Sequence, residues 1–112
     1  MDYKAVVERS RGEIETMLRS GERTEIADSL LSAAYYDPDW RWVQGQCLAF
    51  SSHEDPNVRW IAATCLGHLA RIHPQLDLKL VLQRLVDMKA DPLVAQAAYD
   101  ALDDIRYFLK FQ

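Results

Sequence analysis

A chain of 112 residues, of which 49% are apolar and 27% charged, is long enough to bury a core as one domain and too apolar to be disordered. Its formal net charge of −4 argues against nucleic acid as a partner, because phosphate binding requires basic patches. No run of residues approaches a membrane span, and residues 1–10 contain no apolar secretory segment. We therefore expect a cytoplasmic protein that binds neither nucleic acid nor membranes.

Apolar residues recur at helical spacing in six segments, which glycine, proline or serine residues separate. In chain order the segments are 3–19, 23–36, 40–50, 56–72, 76–88 and 92–109. No segment alternates between apolar and polar residues, so the predicted fold class is all-α. The short connections require mostly antiparallel neighbours, which pairs the helices into three hairpins near residues 2–36, 38–72 and 76–109.

An Asp-Pro pair precedes three of the apolar stripes, at Asp37-Pro38, Asp55-Pro56 and Asp91-Pro92. We interpret each pair as an N-capping aspartate followed by a proline at the first helical position. Ile26, Ile61 and Ala97 occupy equivalent places, at spacings of 35 and 36 residues. Self-similarity at this period predicts stacked helical hairpins, in which each unit buries its apolar face against its neighbours.

The run DPNVRWIAATCLGHL, residues 55–69, resembles the second helix of a HEAT repeat. That pattern places Asp-Pro before Val-Arg, then a pair of alanines, then Leu-Gly. The third Asp-Pro segment is similar, although Ala95 replaces the arginine and Asp103 the glycine. The resemblance implies a short right-handed α-solenoid with a binding role. It also implies that Arg41 and Arg59, at the position of the HEAT arginine, pair with acidic residues of neighbouring turns.

The second helices of such a stack line one shared face, which we define by the positions opposite each helix's packed stripe. These positions carry carboxylates and aromatic residues, with small residues at the centre. They are Glu25, Asp28, Ser29, Ser32 and Tyr36, then Trp60, Ala63, Thr64, Gly67 and Arg71, then Gln96, Tyr99, Asp100, Asp103 and Tyr107. Aromatic side chains among charges are good binding anchors. The residues predicted to bind a partner are Asp28, Tyr36, Trp60, Arg71, Asp100, Asp103 and Tyr107.

Structural roles compete with binding at several of these positions. Trp60 is equally compatible with packing across a groove between helices. For Asp100, Asp103 and Asp104 we favour a solvated helical face over binding. We interpret a group of aromatic residues around one turn as core. They are Tyr35, Tyr36, Trp40 and Trp42.

The residues that usually carry chemistry do not converge in this chain. Cys47 and Cys65 occupy equivalent core-facing positions, which indicates buried free thiols and leaves a disulfide open. The histidines are scattered, and no Cys or His pair has the spacing of metal ligands. Neither a nucleophile nor a phosphate loop accompanies them. We therefore expect no catalytic residue, no metal and no cofactor.

A non-catalytic protein-binding module is the function that these observations favour. By size, charge and helical architecture the chain resembles small bacterial immunity proteins, which bind and block a cognate toxin, often a basic nuclease. The resemblance implies a basic toxin partner on the acidic face and a monomeric or weakly dimeric chain. The alternatives are an adaptor or scaffold subunit with a HEAT-like fold, and an enzyme or cofactor lyase on a helical-repeat scaffold.

Overall fold

Six helices make up the fold in a computed structural model that describes residues 5–109. They are α1 (Arg11–Arg19), α2 (Arg23–Tyr36), α3 (Trp40–Phe50), α4 (Pro56–Ile72), α5 (Leu78–Met88) and α6 (Ala95–Leu109). Within the described range there is no β-strand. The predicted all-α, repeat-like fold is confirmed. The start of the first predicted hairpin, at residues 2–4, lies outside the described residues.

The first helix is shorter than the apolar pattern predicts. It begins at Arg11, and the predicted start near residue 3 is wrong, since the described residues 5–10 are not helical. Ser10 ends the non-helical segment as an N-cap. Its Oγ accepts a hydrogen bond from the Glu13 N–H (3.2 Å), and the Glu13 carboxylate accepts one from the Ser10 N–H (3.2 Å). This reciprocal capping box fixes the helix start locally, whatever the apolar spacing before it.

Two of the three Asp-Pro pairs differ in how they begin a helix. Asp55 caps α4 by accepting the Asn57 N–H at 2.9 Å, and Pro56 is the first helical residue, as predicted. After Asp91, residues 91–94 instead form a turn closed by a backbone hydrogen bond of 3.1 Å, and α6 begins only at Ala95. The predicted helix start at residue 92 is therefore wrong.

The remaining Asp-Pro pair belongs to the end of a helix. Asp37 is the C-cap of α2, and Asp39 is the N-cap of α3, where its carboxylate accepts the Trp42 N–H at 3.1 Å. The prediction that Asp37 caps α3 is wrong. Asp37 precedes Pro38, which disfavours a helical backbone at Asp37, so the extended Asp37 ends α2. Because α3 begins at Trp40, the residue that can cap it is Asp39.

The helices form two layers, with α4 at the centre of the inner one. α4 packs between α2 and α6. Contacts at both ends show that α2 and α4 are parallel. Arg23 Nε lies 2.6 Å from Asp55 Oδ2 at their N-terminal ends, and the rings of Tyr35 and His68 are 5.2 Å apart near their C-terminal ends. α1, α3 and α5 form the outer layer. No helix among the described residues is long and apolar enough to cross a membrane.

The core includes two cysteines in contact. Cys47 and Cys65 are both fully buried and both free thiols, which decides against the disulfide alternative. The pKa of Cys65 is raised well above its ordinary value, first by a hydrogen bond with the Cys47 thiol and then by burial. The largest buried side chains of the core come from every helix: Ile14, Ile26, Leu30, Val43, Leu66, Leu69, Leu85 and Ile105.

The predicted aromatic cluster is only partly core. Tyr35 and Trp42 pack against the buried residues, whereas Tyr36 is 44% exposed. The guanidinium of Arg11 lies 4.2 Å from the centroid of Trp42 and covers its outer side. Arg41 covers Trp40 in the same way, at 4.8 Å. Arg41 thus stacks on an aromatic ring and, within residues 5–109, has no ion pair, so the HEAT-like pairing expected of it is not found.

Candidate partner-binding surface

The small residues predicted at the centre of the shared face are buried between helices. Gly67 shows why: a Cβ at this position would lie 3.1 Å from Ala101 Cα and 3.0 Å from Asp104 Oδ2. The backbone of α4 therefore approaches α6 too closely for a side chain. The prediction that these residues line an open surface is wrong for Ser29, Ser32, Ala63 and Gly67, all of them buried. They set the distances between helices.

What remains accessible on α4 is a narrow strip. Trp60 is 39% exposed near the N-terminal end of the helix, and Arg71 is exposed near its C-terminal end. Thr64 and His68 lie between them and are half-buried. Because a helix places residues three or four apart on one side, these four side chains follow one line along α4. Trp60 thus has a large ring surface in solvent.

The accessible side chains of α6 are acidic and aromatic. Asp100 and Asp103 are exposed, and so are Tyr99 and Tyr107, the latter at 70%. Each carboxylate has one exposed neighbour: Asp100 accepts from Gln96 Nε2 (2.9 Å), and Asp103 lies 3.7 Å from Arg106 Nη1. Contacts of this kind between exposed side chains are weak and exchange readily with solvent or a partner.

Three side chains, Tyr35, His68 and Arg71, meet at the C-terminal ends of α2 and α4. Of these, only Arg71 was predicted to bind a partner. Arg71 Nη2 lies 3.2 Å from His68 Nδ1, and its guanidinium is 5.6 Å from the centroid of Tyr35. The pKa of His68 is lowered, first by burial and then by the positive charge of Arg71, although the nearby Asp104 carboxylate opposes the shift. The three-residue spacing of His68 and Arg71 could have predicted that their side chains meet on one side of α4. Which of Tyr35 and Tyr36 faces them depends on how α2 is rotated about its axis, and the sequence does not fix that rotation.

Asp28 and Tyr36, the two residues of α2 predicted to bind a partner, lie beside the N-terminal segment, which we define as residues 5–9. The Tyr36 hydroxyl donates to the Val6 carbonyl (3.1 Å), and the Arg9 N–H donates to Ser32 Oγ (3.0 Å). Asp28 is half-buried beside the same segment. The predicted binding residues are therefore not one cluster. Asp28 and Tyr36 border the segment, Trp60 and Arg71 lie along α4, and Asp100, Asp103 and Tyr107 lie on α6.

No group of three or more His, Cys, Asp or Glu side chains in the described part of the chain is placed to hold a metal ion. His68, which feels the charge of Asp104, contacts the cation Arg71 and the phenol ring of Tyr35. The arrangement offers charged, aromatic and apolar contacts on rigid helices, which suits recognition of another protein.

Comparisons with known proteins agree with the architecture. The HEAT repeat family matches residues 43–73, which span α3 and α4. A solved chain, from the crystal structure of a CDI complex from Cupriavidus taiwanensis LMG 19424, is 40% identical to this one with a TM-score of 0.88. The similarity covers 96% of this chain and 97% of that chain. Among curated proteins, none matches significantly.

Proposed function

Because the chain belongs to the same family of HEAT-like helical proteins as the chain of the Cupriavidus taiwanensis CDI complex, we propose that it is an immunity protein. In this proposal it binds a cognate toxin in the cytoplasm and blocks it without catalysis. The observation that carries the proposal is the 40% identity over nearly the full length of both chains. The similarity covers 96% of this chain, well beyond the residues 43–73 that match the HEAT repeat.

The chemistry of the inner layer supports a basic partner. The exposed carboxylates of α6, Asp100 and Asp103, lie on a rigid helix beside the exposed ring of Tyr107. Trp60 offers a second aromatic surface on the adjacent helix. Carboxylates steer a cationic partner and select its orientation, while partly exposed aromatic rings supply contact area at a small entropic cost.

We further propose that the toxin is a nuclease. Its active site would need a positive groove for the phosphate backbone, and an acidic helical surface matches such a groove in charge. Inhibition would then follow from occlusion of the groove. A one-to-one complex would be sufficient, since one immunity chain covers one site.

Co-expression with the product of the adjacent gene tests the proposal. We expect a one-to-one complex, weakened about tenfold or more by Trp60→Ala and by Asp100→Lys. Asp87→Lys, which reverses an exposed carboxylate on the outer helix α5, is the matched control and is expected to bind like the wild type. Binding should also weaken as salt rises, because exposed charges are screened. Recovery of a large assembly and no toxin would favour the scaffold alternative and overturn the proposal.

A further inference from the structure

The N-terminal segment and α2 enclose a cleft. Two hydrogen bonds hold the segment against α2. The Tyr36 hydroxyl donates to the Val6 carbonyl near one end of the segment, and the Arg9 N–H donates to Ser32 Oγ at the other. The cleft between them has a volume of about 140 Å³ and is lined by Ala5, Val6, Val7, Arg9, Asp28 and Leu31. Four of these residues are aliphatic, two are charged, and Asp28 and Leu31 belong to helix α2.

Asp28 is the one acidic group among the described residues of the lining. Among residues 5–109 its carboxylate has no hydrogen-bond or ion-pair partner, unlike Asp100 and Asp103 on α6. Arg9, the other charged residue among the described residues of the lining, lies 3.9 Å from the carboxylate of Glu13, which serves as its counterion. Asp28 is thus a half-buried carboxylate at an apolar wall, and a cation that reached it would be partly shielded from water.

The approach to Asp28 is also acidic. A wider hollow between α1 and α2 adjoins the cleft and shares Arg9 and Asp28 with it. Glu13 and Glu25 line this hollow as well, so carboxylates outnumber cations among the described residues that line it. Clustered charges of one sign raise the local concentration of the opposite charge.

We propose that the cleft receives one lysine or arginine side chain of the toxin. The aliphatic stem would lie against Val6 and Leu31, and the cationic head would form a charge-assisted hydrogen bond with Asp28. Long basic side chains have this combination of an apolar stem and a charged end, and no other residue type matches both parts of the lining. The proposal rests on the proposed immunity function and assigns Asp28 the role of an anchor that is separate from the α6 surface.

Binding to the co-expressed toxin separates this proposal from the proposed function. Asp28→Asn removes the charge at nearly constant shape, and Val6→Trp fills the cleft from a half-buried position in its lining and leaves the backbone carbonyl that Tyr36 contacts. We expect both variants to weaken the complex about tenfold. Glu15→Gln, on the exposed side of α1, is expected to change nothing. Wild-type affinity in both cleft variants would overturn the cleft proposal and leave the immunity function standing, whereas absence of any complex would overturn both.

A probe without the toxin tests the chemistry of the cleft directly. We expect N-acetyl-arginine amide to shift the NMR signals of the Leu31 methyl groups saturably, and N-acetyl-citrulline amide, which has the same shape without the charge, to leave them unchanged. Asp28→Asn should abolish the shift. Because Lys4 directly precedes the segment, the Lys4→Gln variant is measured in parallel. Absence of a shift in both the wild type and the Lys4→Gln variant would overturn the proposal. A shift in Lys4→Gln alone would also overturn it, because it would identify the chain's own Lys4 as the occupant of the cleft.

Discussion

Arg59 Nη2 lies 3.0 Å from Asp91 Oδ2, which joins the first turn of α4 to the turn before α6. The same guanidinium donates through Nη1 to the carbonyls of His53 (2.9 Å) and Glu54 (3.0 Å) in the preceding loop. Arg59 therefore links the start of α4 both to the α3–α4 loop and to the α5–α6 connection. Only the planar, forked donor set of arginine reaches these three acceptors together.

Arg59→Lys should destabilise the fold by about 1–3 kcal/mol, because one ammonium cannot replace the separate hydrogen bonds to charged and carbonyl oxygens. Urea unfolding followed by circular dichroism measures this. Arg41→Lys is the matched control, since Arg41 is the corresponding arginine of the preceding segment and is exposed. It should change stability by about 0.5 kcal/mol or less. Equal losses in the two variants would contradict the bridging role of Arg59.

Gly67→Ala should destabilise the protein by about 1–3 kcal/mol, because the added Cβ would meet the α6 backbone at Ala101 Cα, 3.1 Å away. Gly45→Ala is the opposite case. Gly45 is exposed in α3, and a Cβ there would have no neighbour within 4 Å, so alanine should stabilise by up to about 1 kcal/mol through helix propensity. Thermal unfolding of the two variants, compared with that of the wild type, measures both changes in stability. A stabilised Gly67→Ala protein would show that α6 moves away readily.

Asp55 should contribute to acid unfolding. The pKa of its carboxyl is lowered, first by the hydrogen bond from Arg23 and then by that from the Asn57 N–H. The unfolded chain therefore binds the proton more tightly, and stability present above pH 3.8 is lost as the pH falls through the lower folded pKa. Asp55→Asn should be less stable than the wild type at neutral pH and lose less stability on acidification. Urea midpoints at a series of pH values test both parts, and parallel pH curves for the two proteins would refute them.

His68 should make stability depend on pH in a higher range. Its pKa in the folded protein is lowered from the ordinary value of 6.5, so the unfolded state binds more protons as the pH falls below that value. Stability is thus full above pH 6.5 and declines through the folded pKa. His68→Gln should flatten this part of the curve. Arg71→Gln should flatten it partly, since it removes one of the two causes and leaves burial and the facing Asp104 and Tyr35 in place. An unchanged slope in His68→Gln would contradict the assignment.

The two cysteines should be protected from thiol reagents while the protein is folded. Both are fully buried, and the pKa of Cys65 is raised, so the reactive thiolate is both inaccessible and scarce. Labelling with a disulfide reagent should therefore be slow and accelerate in urea together with global unfolding. Cys47→Ala isolates Cys65 and should retain the slow rate. Rapid labelling of that variant in native buffer would show that α3 opens locally.

The helices were predictable from the sequence to different degrees at their two ends. The apolar spacing in α2, α3 and α4 predicted their bounds, because residues that interrupt a helix stand at each boundary: Gly21 before α2, Asp37 after it, Asp39 and Ser51 around α3, and Asp55 and His73-Pro74 around α4. The predicted starts of α1 and α6 were too early for a local reason. A capping box at Ser10 and a turn after Asp91 override an apolar spacing that continues past them.

The candidate surface was less predictable than the fold. Trp60, Asp100, Asp103 and Tyr107 are accessible, as an interface residue must be. Ser32 and Gly67 are not, because small residues on a second helix mark the places where a neighbouring chain segment approaches most closely. The helical pattern cannot distinguish a small residue facing solvent from one beneath another helix, since both interrupt the apolar stripe in the same way.

By itself the sequence determined the all-α class, the six helices and the repeat-like stacking, because apolar periodicity and capping residues act within one or two turns of chain. Only the tertiary structure decided which side chains meet. The approach of α6 to Gly67, the attachment of residues 5–9 to Tyr36 and Ser32, and the cleft beside Asp28 all depend on distances between segments that are remote in sequence. Those distances follow from how closely the helices pack, and packing is a property of the whole core.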